Sequence, residues 1–261
     1  MDVVLDVQDL RCGYGDVDVL EELSFTVAAS EVLCVLGRNG AGKTTLFKSV
    51  LGFLPARGGR VLVDGRALSG WGRRELARTV AYVPQAHAAP FPFTVGEVVL
   101  MGRTPHLGVA GAPGRADRAV AEESMDRLGV GHLATRPFTE ISGGERQLAL
   151  IARALTQQPR LLMMDEPTSN LDLGNQARVL HEIRDLAAGG LAIVMISHTP
   201  DHAFAVASTA ALLRPDRTLR VGTPEQVLTE GALGEAFGRP VRVLTGVGED
   251  GATVRACLPV P

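Results

Sequence analysis

Val32-Leu33-Cys34-Val35-Leu36 runs directly into Gly37-Arg38-Asn39-Gly40-Ala41-Gly42-Lys43-Thr44. Five consecutive apolar residues read as a strand buried on both faces, and the eight that follow satisfy the phosphate-loop pattern G-x-x-x-x-G-K-[S/T]. A helix is expected next, over residues 43–52. Gly37, Gly40 and Gly42 permit backbone conformations that a Cβ resists, so the amides of this loop can converge on phosphate oxygens at a positive helix end. The loop that would cradle the phosphates comprises Gly37, Arg38, Asn39, Gly40, Ala41, Gly42, Lys43, Thr44 and Thr45. Lys43 would reach the β- and γ-phosphates of a nucleotide, and Thr44 would offer its hydroxyl to Mg²⁺.

Composition supports Lys43 independently. Of the 26 basic residues only Lys43 and Lys48 are lysine, so a chain strongly biased to arginine has still placed a lysine in the loop. A compact ammonium fits between phosphates where a planar guanidinium packs differently. A later apolar run, Leu161-Leu162-Met163-Met164, ends in Asp165-Glu166. Asp165 is placed to hold the same Mg²⁺.

A second segment with phosphate chemistry is Ile141-Ser142-Gly143-Gly144-Glu145-Arg146-Gln147. Read locally it is a capping box, with Ser142 at the N-cap and Glu145 three residues on. Leu148, Ile151, Ala152 and Leu155 follow at the spacing of an amphipathic helix. Two glycines in the first turn weaken helix propensity by roughly 1 kcal/mol each while baring the backbone amides. A well-capped helix and an anion site are both consistent with this stretch.

The order of these motifs resembles that of an ABC-type ATPase, and the resemblance runs over about residues 3–242. It implies an α/β fold: a P-loop NTPase core with a parallel, helix-flanked sheet, an N-terminal antiparallel β subdomain and an inserted α-helical subdomain. It also implies that Ser142, Gly143, Gly144 and Glu145 of one subunit close over ATP held by the phosphate loop of another, so that a homodimer encloses two nucleotides. Tyr14, in Arg11-Cys12-Gly13-Tyr14-Gly15, stands where the family stacks an aromatic on adenine, although a packed edge residue would look the same. Gln85 resembles the glutamine that touches Mg²⁺ and senses the membrane partner. Glu166 matches the catalytic glutamate that polarises the attacking water, yet a carboxylate beside a Mg²⁺ ligand can also be an orienting group. Ser169-Asn170-Leu171-Asp172 resembles the loop that crosses the dimer interface, and His198 matches the histidine that contacts the γ-phosphate. Lone histidines after strands are more often structural. Ile141, Arg38 and Asn170 depart from the family's usual residues without removing a functional group.

Along the chain, residues 3–36 alternate apolar and polar positions as short antiparallel strands that would carry Tyr14. Buried-type runs at 32–36, 80–83, 161–164 and 191–196 alternate with helical patterns, as in a parallel sheet. The expected division of a single ABC ATPase domain spanning 1–261 is a core at 3–85 and 158–240, a helical subdomain with its signature helix at 86–157, and a tail at 241–261. The helical part would contain a loop over 86–93, a capping box at Thr94-Val95-Gly96-Glu97, a glycine-rich stretch over 108–114 and a helix over 116–128. A helix over 200–207, two short strands and a proline-started helix after Thr223 complete the pattern.

Composition bounds the function. The net charge of −3 gives no basic signal for nucleic acid. Cys12, Cys34 and Cys257 are isolated, and no secretory leader is read, which suits a reducing cytosol. No apolar run reaches the roughly 18 residues of a membrane span, so a transport role requires separate permease subunits. The expected location is the cytoplasmic face of the membrane, with an extracytoplasmic substrate-binding protein as an indirect partner. Thr94-Val-Gly-Glu-Val-Val-Leu-Met-Gly-Arg103-Thr-Pro-His106 resembles the corresponding segment of ATPases serving iron-siderophore, haem, cobalamin and related metal-chelate importers. Asp201, His202 and Ala203 resemble residues recurring in the same group. His106, His198 and His202 lack ligand spacing for a metal. Rival readings are an exporter or other importer ATPase, a soluble ABC ATPase, which would usually carry a coiled coil or a second cassette, and a P-loop kinase, which would leave Ser142 to Glu145 unexplained.

Overall fold

The computed structural model describes residues 2–85, 93–108, 111–248, 251 and 253–260. The chain divides into two compact units: residues up to Gly70 with those from Arg184 onward, and Trp71–Ile183.

The first unit opens with β1 (Val3–Tyr14) and β2 (Val17–Ala28), an antiparallel pair. Tyr14 faces Val17 across a tight turn at Gly15, where φ is 53°. These strands run twelve residues each, longer than the short strands their alternation suggests. Asp9 (φ 46°) and Glu22 (φ 55°) sit in the left-handed region, and register shifts accompany them. The extra β1 residue at Asp9 re-phases that strand, so its buried set moves from Leu5 and Val7 to Leu10 and Cys12. In sequence, that phase break looks like a strand end. β3 (Val32–Leu36) is buried at every position and feeds the phosphate loop, followed by α1 (Lys43–Val50), slightly shorter than the expected 43–52. β4 (Gly58–Val63) pairs antiparallel with β1 and with the two-residue β5 (Arg66–Ala67).

The second unit begins with α2 (Arg73–Thr79) and β6 (Val80–Val83). α3 (Val95–Leu100), α4 (Arg115–Arg127) and α5 (Gly143–Leu155) pack on one another through Val95, Val99, Met125, Leu148, Ile151 and Ala152, all buried. The Thr94 box forms as expected: Thr94 Oγ1 accepts the Glu97 amide while Glu97 Oε2 accepts the Thr94 amide at 2.8 Å. β7 (Leu161–Asp165) runs parallel to β6, with Val83 opposite Met164, and α6 (Leu173–Ala188) follows. The expected loop at 86–93 falls mostly outside the described residues, and so do residues 109–110 of the glycine-rich stretch.

Back in the first unit, β8 (Ala192–Ser197) is entirely buried and α7 (Pro200–Val206) follows it. β9 (Thr209–Leu213) and β10 (Leu219–Gly222) give the order β10-β9-β3-β8, with β3 parallel to both β8 and β9. Continuous apolar runs are what a parallel sheet covered on both faces requires. α8 (Pro224–Val227) and α9 (Glu230–Phe237) precede β11 (Val241–Val247) and β12 (Thr253–Pro259). Residues expected as a tail thus form an antiparallel hairpin, which packs on α7 and α9.

Candidate functional site

In the first unit the phosphate loop leaves β3 and the His198 turn leaves β8 at the same level, because Leu36 pairs with Ser197. Gly40 (φ 81°) and Gly42 (φ 102°) both occupy the left-handed region, and a Cβ on Gly42 would lie 2.8 Å from Leu20 Cδ2. α1 then starts with no side-chain cap and no acidic residue in its first turn. A first helical turn leaves its amides without intrahelical acceptors, so this end is built for an anion. Lys43 is buried, and its Nζ donates to the carbonyls of Gly37 at 2.7 Å and Arg38 at 3.0 Å, which holds the ammonium within the loop. Arg38, Asn39, Gly40 and Thr44 are exposed, Ala41 is half-buried and Thr45 is buried.

Tyr14 is 48% exposed at the end of β1, so it is available for stacking rather than packed as an edge residue. Lys48 lies 5.7 Å from its ring centroid, close enough for a cation–π contact. His198 is exposed between Ser197 and Thr199.

In the second unit, parallel pairing of β6 with β7 delivers Gln85 and Asp165-Glu166 together. Gln85 Nε2 donates to Glu166 Oε2 at 3.2 Å and to Ser169 Oγ at 3.3 Å. Glu166 has φ 48°, a conformation non-glycine residues hold only when their surroundings impose it, and such residues cluster at functional sites. Tyr82 was not singled out from the sequence, yet its hydroxyl reaches Asp165 Oδ2 at 3.5 Å. Burial, then the Asp165 charge, push the Tyr82 phenol up to about 12, so it stays a neutral donor toward that carboxylate. Its position two residues before Pro84 carried no distinguishing signal.

Ser142 caps α5: its amide donates to Glu145 Oε2 at 2.8 Å, and its Oγ accepts the Glu145 amide at 3.3 Å. Hydrogen bonding from the Ser142 amide, then from its side chain, holds the Glu145 carboxyl below its ordinary range. Ser142 and Gly143 are exposed while Gly144 is buried. The two glycines therefore have different reasons. A Cβ on Gly144 would lie 2.1 Å from Asn175 Oδ1 and 3.0 Å from Asn175 Cβ, so this glycine admits the start of α6. Asp172 in turn accepts from the Asn175 amide and from Asn175 Nδ2, both at 2.8 Å, which lowers its pKa and fixes Asn175 in place. Gly144→Ala should cost about 1–3 kcal/mol, the usual range for overpacking. A denaturant midpoint equal to wild type would show that Asn175 can yield.

Arg103 and His106, part of the segment resembling chelate importers, have structural work. Arg103 is 9% exposed and bonds to Asp117 Oδ1 at 2.9 Å, the Thr156 carbonyl at 2.9 Å and Gln158 Oε1 at 3.0 Å. His106 Nε2 lies 2.9 Å from the Gln157 carbonyl. Both clamp the chain just beyond the C-terminus of α5, where the Arg103 cation also suits the helix dipole. Among the described residues there is no group of three or more His, Cys, Asp or Glu that could hold a metal, and no helix long and apolar enough to cross a membrane.

The family model described as ABC transporter matches residues 20–169, more than half of the 261. The chain belongs to the ABC transporter family. As an ABC ATPase it is 43% identical over 234 residues to the hemin import ATP-binding protein HmuV of Streptomyces coelicolor, covering 90% of this chain and 83% of that one. It is 41% identical over 227 residues to an uncharacterised ABC transporter ATP-binding protein of Haemophilus influenzae, covering 87% and 86%. Among solved structures, a chain of a metal-chelate type ABC transporter in an inward-facing conformation matches with a TM-score of 0.88 and 32% identity, over 99% of this ABC ATPase and 98% of that chain.

Proposed function

We propose that this ABC ATPase is the ATP-hydrolysing subunit of an importer for a metal chelate of the hemin, iron-siderophore or cobalamin type. What carries the reading is near-complete coverage, in both directions, of a chain from a metal-chelate type transporter. The relative named for hemin import supports the same class.

The chemistry divides among named residues. The amides of the loop from Gly37 to Thr45 and the Lys43 ammonium bind the β- and γ-phosphates, and Tyr14 stacks on the adenine. Glu166 acts as general base on the attacking water, and His198 contacts the γ-phosphate. Thr44, Asp165 and Gln85 are the residues that would hold Mg²⁺. One carboxylate with neutral oxygens, completed by substrate phosphates and water, suits this ion better than a dedicated cage of acids, and the described residues contain no such cage. Mg²⁺ supplies neutralisation of the charge that develops on the transferred phosphoryl group.

Ser142, Gly143, Gly144, Glu145 and Asp172 act on the nucleotide of a second copy. Leu173, next to Asp172, is 83% exposed, an apolar side chain suited to burial in such a homodimer. Two copies dock on membrane permease subunits at the cytoplasmic face, and an extracytoplasmic binding protein delivers the chelate. ATP closes the dimer, hydrolysis reopens it, and the permease alternates access.

The test is co-purification with the permease, reconstitution into vesicles, and ATP-dependent uptake of hemin, a ferric siderophore, cobalamin and an oxyanion. Movement of one chelate into the compartment that holds the ATPase supports the proposal. Uptake of the oxyanion alone, or transport in the export direction, would overturn it.

A further inference from the structure

His198 is flanked by two residues that are tied to each other. Ser197 Oγ accepts the Thr199 amide at 3.0 Å and lies 3.2 Å from the Thr199 carbonyl, closing a tight turn around the histidine. The same Oγ lies 3.0 Å from His202 Nδ1, and the His202 amide donates to the Thr199 carbonyl at 3.2 Å. Ser197 is 2% exposed and His202 7%, so this polar cluster is sealed from solvent while His198 itself is exposed. Burial pushes the His202 imidazole below its ordinary value, with the charge of Asp201 opposing and that of His198 adding to the shift. A neutral ring suits an orienting contact rather than proton transfer.

α7, which carries His202, is anchored from its other side. Asp201 Oδ1 accepts the Cys257 amide of β12 at 2.6 Å. Arg255 of the same strand pairs with Glu225 at 2.8 Å and lies 5.9 Å from the ring centroid of Phe204. The hairpin that the sequence presented as a tail thus braces the helix whose first turn holds the His198 loop.

We infer that His202, bonded to Ser197 and carried on a helix braced by the C-terminal hairpin, is a positioning residue that fixes His198 for hydrolysis. The inference rests on the proposed ATPase role of His198. A positioning defect alters the reaction while sparing ground-state binding, and small misplacements of a reacting group are costly in rate.

The test is steady-state ATP hydrolysis by the purified full-length chain, with thermal melting alongside. His202→Ala should lower kcat about 10-fold and leave the KM for ATP within about twofold. His202→Asn can place an amide near the former Nδ1 and should recover kcat to within about threefold of wild type. If His202→Ala does not fold, Ser197→Ala removes the other partner of the same bond and should show the same loss confined to kcat. Wild-type kcat in His202→Ala, or equal impairment of the alanine and asparagine variants, would overturn the inference. A wild-type chain without ATPase activity would instead overturn the functional reading and, with it, this inference.

Discussion

Glu166→Gln is expected to bind ATP as wild type does and to turn it over about 100-fold or more slowly, the scale of losing a positioned general base. The substitution is nearly isosteric. Glutamine still offers an oxygen to Gln85 Nε2, which bonds the Glu166 carboxylate at 3.2 Å, so that contact is kept. What is lost is the ability to accept a proton from water. Steady-state phosphate release together with equilibrium nucleotide binding separates the two effects. Near-normal turnover would mean that Glu166 only orients its neighbours and that the base lies elsewhere.

Lys43→Ala should weaken ATP binding by at least about 10-fold, because a hydrogen bond to a charged group is worth about 1.5–3 kcal/mol. The buried Lys43 ammonium is held by two loop carbonyls, so its rotamer is set before the nucleotide arrives and little entropy remains to be lost. Lys43→Arg should not restore affinity, since a planar guanidinium does not fit the space of a compact ammonium between carbonyls and phosphates. Titration with a fluorescent ATP analogue, on variants whose melting temperatures match wild type, reads the effect. An unchanged Kd in Lys43→Ala would remove this residue from the binding account.

Features whose cause lies within a few residues were legible in the sequence. The loop between β3 and α1, the Thr94 and Ser142 capping boxes, and the buried runs of β3 and β8 each follow from local chemistry. Features caused by distant residues were not. The bulges at Asp9 and Glu22 depend on pairing across β1, β2 and β4, and they turned two long strands into an apparent series of short ones. Gly144 is small because Asn175 occupies the space beside it, a contact between helices that no spacing rule encodes. Arg103 and His106 hold the chain just beyond α5 through the Thr156 and Gln157 carbonyls, contacts that lie about fifty residues away in sequence. The hairpin of β11 and β12 is not legible in the sequence because its strands are mostly exposed, so neither presents the apolar alternation that announces a half-buried strand.

The central claim is that the phosphate loop of one copy and the Ser142 segment of another complete each active site. Sedimentation velocity of Glu166→Gln tests it most directly, because slow turnover preserves the ATP-bound state. With ATP and Mg²⁺ the account predicts a dimer, which ADP does not support and which the added substitution Ser142→Arg abolishes. A Glu166→Gln protein that binds ATP yet sediments as a monomer, or a dimer that survives Ser142→Arg unchanged, would contradict it.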